Sequence, residues 1–228
     1  MSLPLLLLRP QPGNDASAKR ARDMGLEVIQ LPLFEIVAAA PAPLADRDFD
    51  AVLVTSANGV RFGADALGAF ADLPLYAVGE ATARAAREAG MARVRTGGGD
   101  VASTLALIAG DGHSRVLHVC GADVRPVDVP GIGLTRHVAY RAAPRDEAIV
   151  RPLLDAVETA VATIHSPRAG ARFAALIEPA RRGHFHVAAI SDAAARETGT
   201  GWADMAVSRT PDDTALLHCA KALCIRAG

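Results

Sequence analysis

This chain writes one pattern twice, and that repeat constrains its fold more than any other feature. The run Ala51-Val-Leu-Val-Thr-Ser56, apolar and then polar, returns as Ala160-Val-Ala-Thr-Ile-His-Ser166, so that Ser56 aligns with Ser166. Downstream, Tyr76-Ala-Val-Gly-Glu-Ala-Thr-Ala-Arg84 is answered by Val187-Ala-Ala-Ile-Ser-Asp-Ala-Ala-Ala-Arg196. The stretch that opens at Asp100 is answered by one that opens at Asp213. Short β-branched runs between polar boundaries read as strands buried on both faces, and the segments between them read as helices. Two copies of such a βαβα unit imply two similar domains.

Counting strands shows how the copies are completed. The first copy has its own further strand at 116–119, whereas the last copy ends on its helix. The N-terminal strands, at 5–8 and 28–31, supply what the last copy lacks. The expected fold is therefore α/β, with two similar parallel-sheet (flavodoxin-like) domains. One is discontinuous, 1–34 plus 144–228, and the other, 39–136, is inserted. Two extended linkers, 35–38 and 137–143, join them. Two crossings imply a hinge, and a cleft between domains is a favoured ligand site. Locally, Asn14 or Asp15 is expected to cap a first helix, a single helix is expected over 57–70, and Gly97-Gly98-Gly99 reads as a turn.

Composition narrows the function. A formal net charge of −1 argues against bulk nucleic-acid binding. Lys19 and Lys221 are the lysines, and the other basic residues are arginines, whose planar forks suit carboxylates. Cys120, Cys219 and Cys224 show neither CxxC nor a metal-ligand spacing with histidine, so reduced thiols in a cytoplasmic protein are expected. The apolar start, Leu3-Pro-Leu-Leu-Leu-Leu8, is too short to span a membrane and has no basic region before it. It reads as a first buried strand, and no membrane partner is expected.

The chain carries no HExxH, GxSxG, Walker loop or Cys/His nucleophile pair. Such a chain is either a binding protein or an enzyme that works by positioning. In a parallel α/β sheet, ligands bind at the carboxyl ends of strands beside helix N-termini. That places Arg9, Thr55, Ser56, Asn58, Gly59, Gly79, Thr82, Cys120, Gly121, Ser166, Arg168 and Ser191 at a candidate edge, rich in hydroxyls and backbone donors and suited to an anion. Serine and threonine also cap helices without touching any ligand, and the sequence alone leaves both roles open. Arg125 joins the set on charge. His165 reads as a cap neighbour rather than a base. Tyr140, on the second linker, is either a phenol for the cleft or an ordinary strand tyrosine.

Several of these motifs, taken in order, carry a resemblance. Val54-Thr-Ser-Ala-Asn-Gly-Val60, Ala77-Val-Gly-Glu-Ala-Thr-Ala83, Val119-Cys-Gly121, Val138-Ala-Tyr-Arg141, Ser166-Pro167 and Ala189-Ile190 together resemble the uroporphyrinogen-III synthase family. The resemblance implies a cofactor-free, metal-free cyclisation of hydroxymethylbilane, a linear tetrapyrrole bearing eight carboxylates. Loss of its terminal hydroxyl would give an azafulvene cation, and closure through a spiro intermediate would invert the last ring. By position, Tyr140 matches the linker tyrosine that assists hydroxyl departure, and Thr55, Ser56, Thr82 and Ser166 match hydroxyls that hold substrate carboxylates. A handover from hydroxymethylbilane synthase is the partner implied, and a monomer is expected. The chain departs from the pattern at Ser191-Asp-Ala-Ala194, where the family commonly has Gly-Pro-Thr-Thr. The alternative reading is a two-domain hinge protein that binds a tetrapyrrole or small anion without turnover.

Overall fold

The computed structural model describes residues 2–41, 43, 44, 48–124 and 127–226. The chain begins with β1 (Leu5–Leu7), α1 (Gly13–Asp23), β2 (Val28–Gln30) and β3 (Phe34–Ala38). It continues through β4 (Ala51–Val54), α2 (Ala57–Phe62), α3 (Ala64–Ala69), β5 (Leu75–Ala77), α4 (Glu80–Glu88), β6 (Val94–Thr96), α5 (Val101–Gly110), β7 (Arg115–Gly121) and β8 (Gly133–Pro144). The last third holds α6 (Glu147–Asp155), β9 (Ala160–Ile164), α7 (Pro167–Leu176), β10 (Phe185–Ala189), α8 (Asp192–Thr198), β11 (Asp204–Val207) and α9 (Asp213–Arg226). A 3₁₀ turn, Pro179–His184, precedes β10.

Contacts divide the chain into two compact units, Met1–Glu35 with Ala143–Gly228, and Ile36–Ala142. Among the described residues the first unit holds a five-stranded sheet in the order β11-β10-β9-β1-β2. The second holds a six-stranded sheet, β3-β8-β7-β4-β5-β6. The pairs β1–β2, β1–β9, β9–β10 and β10–β11 are parallel, as are β4–β5, β4–β7, β5–β6 and β7–β8. If β9 is matched to β4, as the Ser56/Ser166 echo requires, the two orders coincide over five strands, with β1 where β7 lies and β2 where β8 lies, and β3 is the extra edge strand of the larger sheet. Numbered within its own unit, the first sheet reads 2-1-3-4-5, the flavodoxin order.

The strand sequences follow from this placement. Every residue of β1, β4 and β9 is buried, because helices cover both faces and no alternation with polar residues is needed. In the inserted unit the faces separate cleanly. Val52 and Val54 pack with Val60, Leu67, Ala83 and Ala86 of α2, α3 and α4, while Ala51 and Leu53 pack with Leu105 and Ile108 of α5. In the discontinuous unit, Leu5 and Leu7 pack under Ala18 and Ala21 of α1 and Leu216, Leu217 and Leu223 of α9. Full burial of a leucine or valine contributes about 1.5–3 kcal/mol, so these short strands share each core with the helix faces packed on them.

Three local expectations are revised. The expected single helix over 57–70 is two short ones broken at Gly63, where an added Cβ would sit 2.5 Å from Val119 Cγ1 and 2.6 Å from the Gly59 carbonyl oxygen. Asn14 does not cap α1. It is fully buried, and its Nδ2 donates to the Leu7 and Arg9 carbonyls, tying the end of β1 to the helix. The repeat slips by one residue at its end, because Asp100 caps α5 through Ser103 N whereas the matching cap of α9 is Asp212, through Ala215 N. The segments expected to be extended, 35–38 and 137–143, lie within β3 and β8, which sit side by side at one edge of the six-stranded sheet.

Candidate functional site

In the inserted unit the chain leaves β4 for β5 on one side and returns to β7 on the other, so the strand order reverses between β4 and β7. The crevice outside the carboxyl ends of such a pair is where open α/β sheets take ligands. Here those ends are Thr55-Ser56 and Cys120-Gly121. Ser56, in extended conformation, caps α2 by accepting the amide of Asn58 at 3.2 Å. Its hydroxyl proton is left to donate outward. Gly59 is buried against the strands, and a Cβ there would lie 2.8 Å from Val54 Cγ1 and 3.0 Å from the Val119 carbonyl oxygen. Its role is to let α2 approach the sheet.

A register shift between Cys120 and Gly121 brings Gly121 opposite Tyr140 on β8. The Ala122 amide donates to the Tyr140 carbonyl at 2.9 Å. A Cβ on Gly121 would sit 2.8 Å from the phenol ring and 3.0 Å from its hydroxyl oxygen, so the glycine makes the seat on which Tyr140 lies. The Phe62 ring flanks the phenol with centroids 6.1 Å apart. Asn58, Gly121, Tyr140 and Arg141 line a cavity of about 280 Å³ that Ile36 helps to close. Three of the expected site residues thus meet at one cavity. A larger hollow of about 510 Å³, beside Tyr76, Arg95 and Asp111, lies at the amino ends of β5 and β6. There the Tyr76 hydroxyl donates to Asp111 at 2.6 Å, and burial, then that bond, pushes the phenol up to about 12.

Other expected residues of this unit fall elsewhere. Gly79 precedes α4, and a Cβ added there would meet open space. Thr82 is 6% exposed and Cys120 1%, so neither side chain reaches the edge. Sequence position could not separate these inward residues from their edge neighbours, because Thr82 lies in the first turn of α4 and Cys120 next to the end of β7, where a side chain can face either way. Arg125 lies outside the described residues. His118, on β7, is 4% exposed, and its Nε2 has no partner among the described residues. Burial, with Arg136 nearby, lowers its pKa to about 4.

In the discontinuous unit the order reverses between β1 and β9. Ser166 caps α7 through Ala169 N at 3.2 Å, and Ser191 caps α8 through Ala194 N at 3.3 Å. Arg168 lies over the Phe34 ring, 4.7 Å from its centroid. Arg9 does not project alone from β1. Its Nη1 donates to Asp213 Oδ1 at 3.0 Å and to Ser17 Oγ at 3.2 Å. Ser17 Oγ also donates to Asp213 at 2.7 Å, His165 Nε2 lies 2.7 Å from the same oxygen, and Arg20 Nη1 pairs with the other. Burial alone would raise the Asp213 pKa. The His165 and Ser17 hydrogen bonds and the Arg9 charge outweigh it and hold the carboxyl below the usual range. Burial lowers the His165 pKa against the opposing pull of Asp213, and because a carboxylate oxygen can only accept, Nε2–H is the donor. The sequence reading missed Asp213, Ser17 and Arg20. The available signal was the paired Asp212-Asp213, of which capping needs only one. No His, Cys, Asp or Glu cluster among the described residues is arranged to hold a metal, and no helix among them is long and apolar enough to cross a membrane.

The sequence matches the family model described as uroporphyrinogen-III synthase HemD over residues 15–218. Among solved structures, uroporphyrinogen-III synthetase from Helicobacter pylori 26695 is similar at 16% identity with a TM-score of 0.64, covering 97% of this chain and 99% of that one. Uroporphyrinogen III synthase from the extremely thermophilic bacterium Thermus thermophilus matches at 18% identity with a TM-score of 0.43, covering 98% and 99%. The Helicobacter likeness is one of fold. A comparison with curated proteins finds no significant match.

Proposed function

The chain belongs to the uroporphyrinogen-III synthase family, and from that premise we propose that it cyclises hydroxymethylbilane to uroporphyrinogen III, as a hydro-lyase. The observation that carries this reading is the Tyr140 phenol seated on Gly121 in a cavity beside Asn58. In the proposed reaction the C–O bond of the terminal hydroxymethyl group breaks and the oxygen leaves as water, taking up one proton that the final deprotonation of the ring returns. The electrons come from the adjacent pyrrole. The substituted carbon of the last ring then attacks the cation, and rearrangement through a spiro centre inverts that ring before a proton is lost. Tyr140 donates a hydrogen bond to the departing oxygen. Thr55, Ser56, Asn58, Gly79 and Gly121 hold substrate through hydroxyls and helix N-terminal amides, with Ser166, Ser191, Arg9 and Arg168 doing so in the other unit. Electron-rich pyrroles drive the chemistry, so the protein's share is to fold the chain, exclude water and select the attacking carbon.

The same reading places the protein in the cytoplasm, where its thiols, all free, stay reduced. It also makes the working form a monomer that takes its substrate from hydroxymethylbilane synthase. The deciding experiment generates hydroxymethylbilane enzymatically, adds this protein and separates the uroporphyrin isomers after oxidation. Isomer III above the protein-free control is the expected result. Isomer I alone, from folded protein at high concentration, would leave a hinge protein that binds without turnover. Tyr140→Phe should lower kcat about tenfold, or about 1.4 kcal/mol, the loss expected of one hydrogen bond rather than of an obligatory proton source.

A further inference from the structure

We propose that Arg9 and Arg20 form a carboxylate-binding subsite at the carboxyl ends of β1 and β9, with Asp213 as the internal anion that organises it. The inference rests on the synthase reading for the identity of its ligand, and on the geometry of the discontinuous unit for its existence. Two guanidiniums meet a single carboxylate there. His165 adds a further donor through Nε2–H and no negative charge, so the two guanidiniums outnumber the carboxylate they share. Their excess charge is accessible: the Asp213 side chain is 15% exposed, whereas Arg9 and Arg20 are 30% and 47% exposed.

Donors remain as well as charge. A guanidinium has five N–H groups in a fixed fork, and Asp213 and Ser17 engage only Nη1 of Arg9, while Asp213 engages only Nη1 of Arg20. The remaining donors make no hydrogen bond with the described residues and can pair with a planar oxyanion from outside. A second feature is built for the same end. A Cβ on Gly13 would lie 2.6 Å from both Nε and Nη2 of Arg9, so the guanidinium rests against bare backbone at the first turn of α1. The place is the strand-order reversal of this unit, where open sheets take ligands. Ser17, His165 and Asp213 are positioning residues: they fix the fork and do not themselves meet the ligand. A substrate with eight carboxylates offers the matching group.

The test uses the whole protein and two probes, propane-1,2,3-tricarboxylate and inorganic phosphate, at constant ionic strength to hold screening fixed. Arginine Nε–Hε signals are followed by NMR in the wild type, Arg20→Gln and Gly13→Ala. The tricarboxylate should shift the Arg9 and Arg20 signals in the wild type and bind about tenfold more weakly in both variants, about 1.4 kcal/mol. Both variants should keep the wild-type circular dichroism, since Arg20 is half exposed and alanine suits a helix start. Absence of shifts, or equal binding by all three proteins, overturns the proposal. Tighter binding of phosphate than of tricarboxylate overturns the carboxylate assignment. In the synthase assay, Arg20→Gln should raise KM about tenfold and change kcat less than about twofold, a split that general destabilisation would not produce. Isomer III without arginine shifts sinks the subsite alone, and arginine shifts with only isomer I sink the synthase reading alone.

Discussion

The contact between Gly121 and Tyr140 is decided by a single atom. An added methyl carbon would clash with the ring, 2.8 Å from two of its carbons. Gly121→Ala should therefore displace the phenol and lower kcat at least as much as Tyr140→Phe, while the melting temperature falls only a few degrees. Normal kcat in Gly121→Ala would show that the seat does not matter. His118 sets a pH limit from the same unit. Its folded pKa, about 4, lies below its ordinary 6.5, so the unfolded chain takes up the proton first. Its contribution is full above about 6.5 and is lost as pH falls toward 4. His118→Phe should flatten the stability–pH curve in that window, measured by chemical denaturation. Asp213 acts lower on the scale. Its depressed pKa adds stability above the ordinary 3.8 that disappears only in stronger acid, so the two limbs are separable.

At the scale of elements, three serines share one task. Ser56, Ser166 and Ser191 each end a buried strand and each accept a helix amide, so the capping role left open by the sequence is the one their oxygens perform. A ligand contact through the hydroxyl proton is compatible with that cap and can be separated from it. Ser166→Ala loses both functions and should cost about 1 kcal/mol of stability, whereas Ser166→Gly retains most of the cap free energy. If Ser166 holds substrate, both variants raise KM alike while only the alanine form melts earlier. If KM is unchanged in both, Ser166 is a cap alone. Strands were legible because burial on both faces leaves only apolar residues to choose from. The break at Gly63 was not, since it arises from contact with Val119, remote in sequence. Asp213 escaped for the same reason: its partners Arg9, Ser17 and Arg20 lie near the other end of the chain.

For the whole molecule, the repeat predicted two similar sheets, and the strand orders agree position by position once β1 and β2 are counted with the C-terminal unit. What the sequence could not reveal is how closely the chain's two crossings are tied. Leu33 accepts the Arg145 amide at 3.0 Å, Arg172 reaches the carbonyls of both residues, and six residues further on Ala39 donates to the Ala139 carbonyl at 2.9 Å. The segment Ile36–Ala142 should accordingly fold when expressed alone, with cooperative unfolding and native-like helical content. A molten, noncooperative product would show that the unit needs its host.

Those paired crossings also bear on descent. Because the inserted segment enters and leaves at adjacent points, one pair of cuts in a gene removes it whole and leaves host ends close enough to rejoin by a short loop. By equivalent position the strands run one to five twice along the chain, so a tandem duplication of an ancestral five-stranded unit, with the opening strand pairs exchanged between copies, would yield this architecture. The exchanged strands would then record which copy each opening pair joined, not a change in how the core is packed.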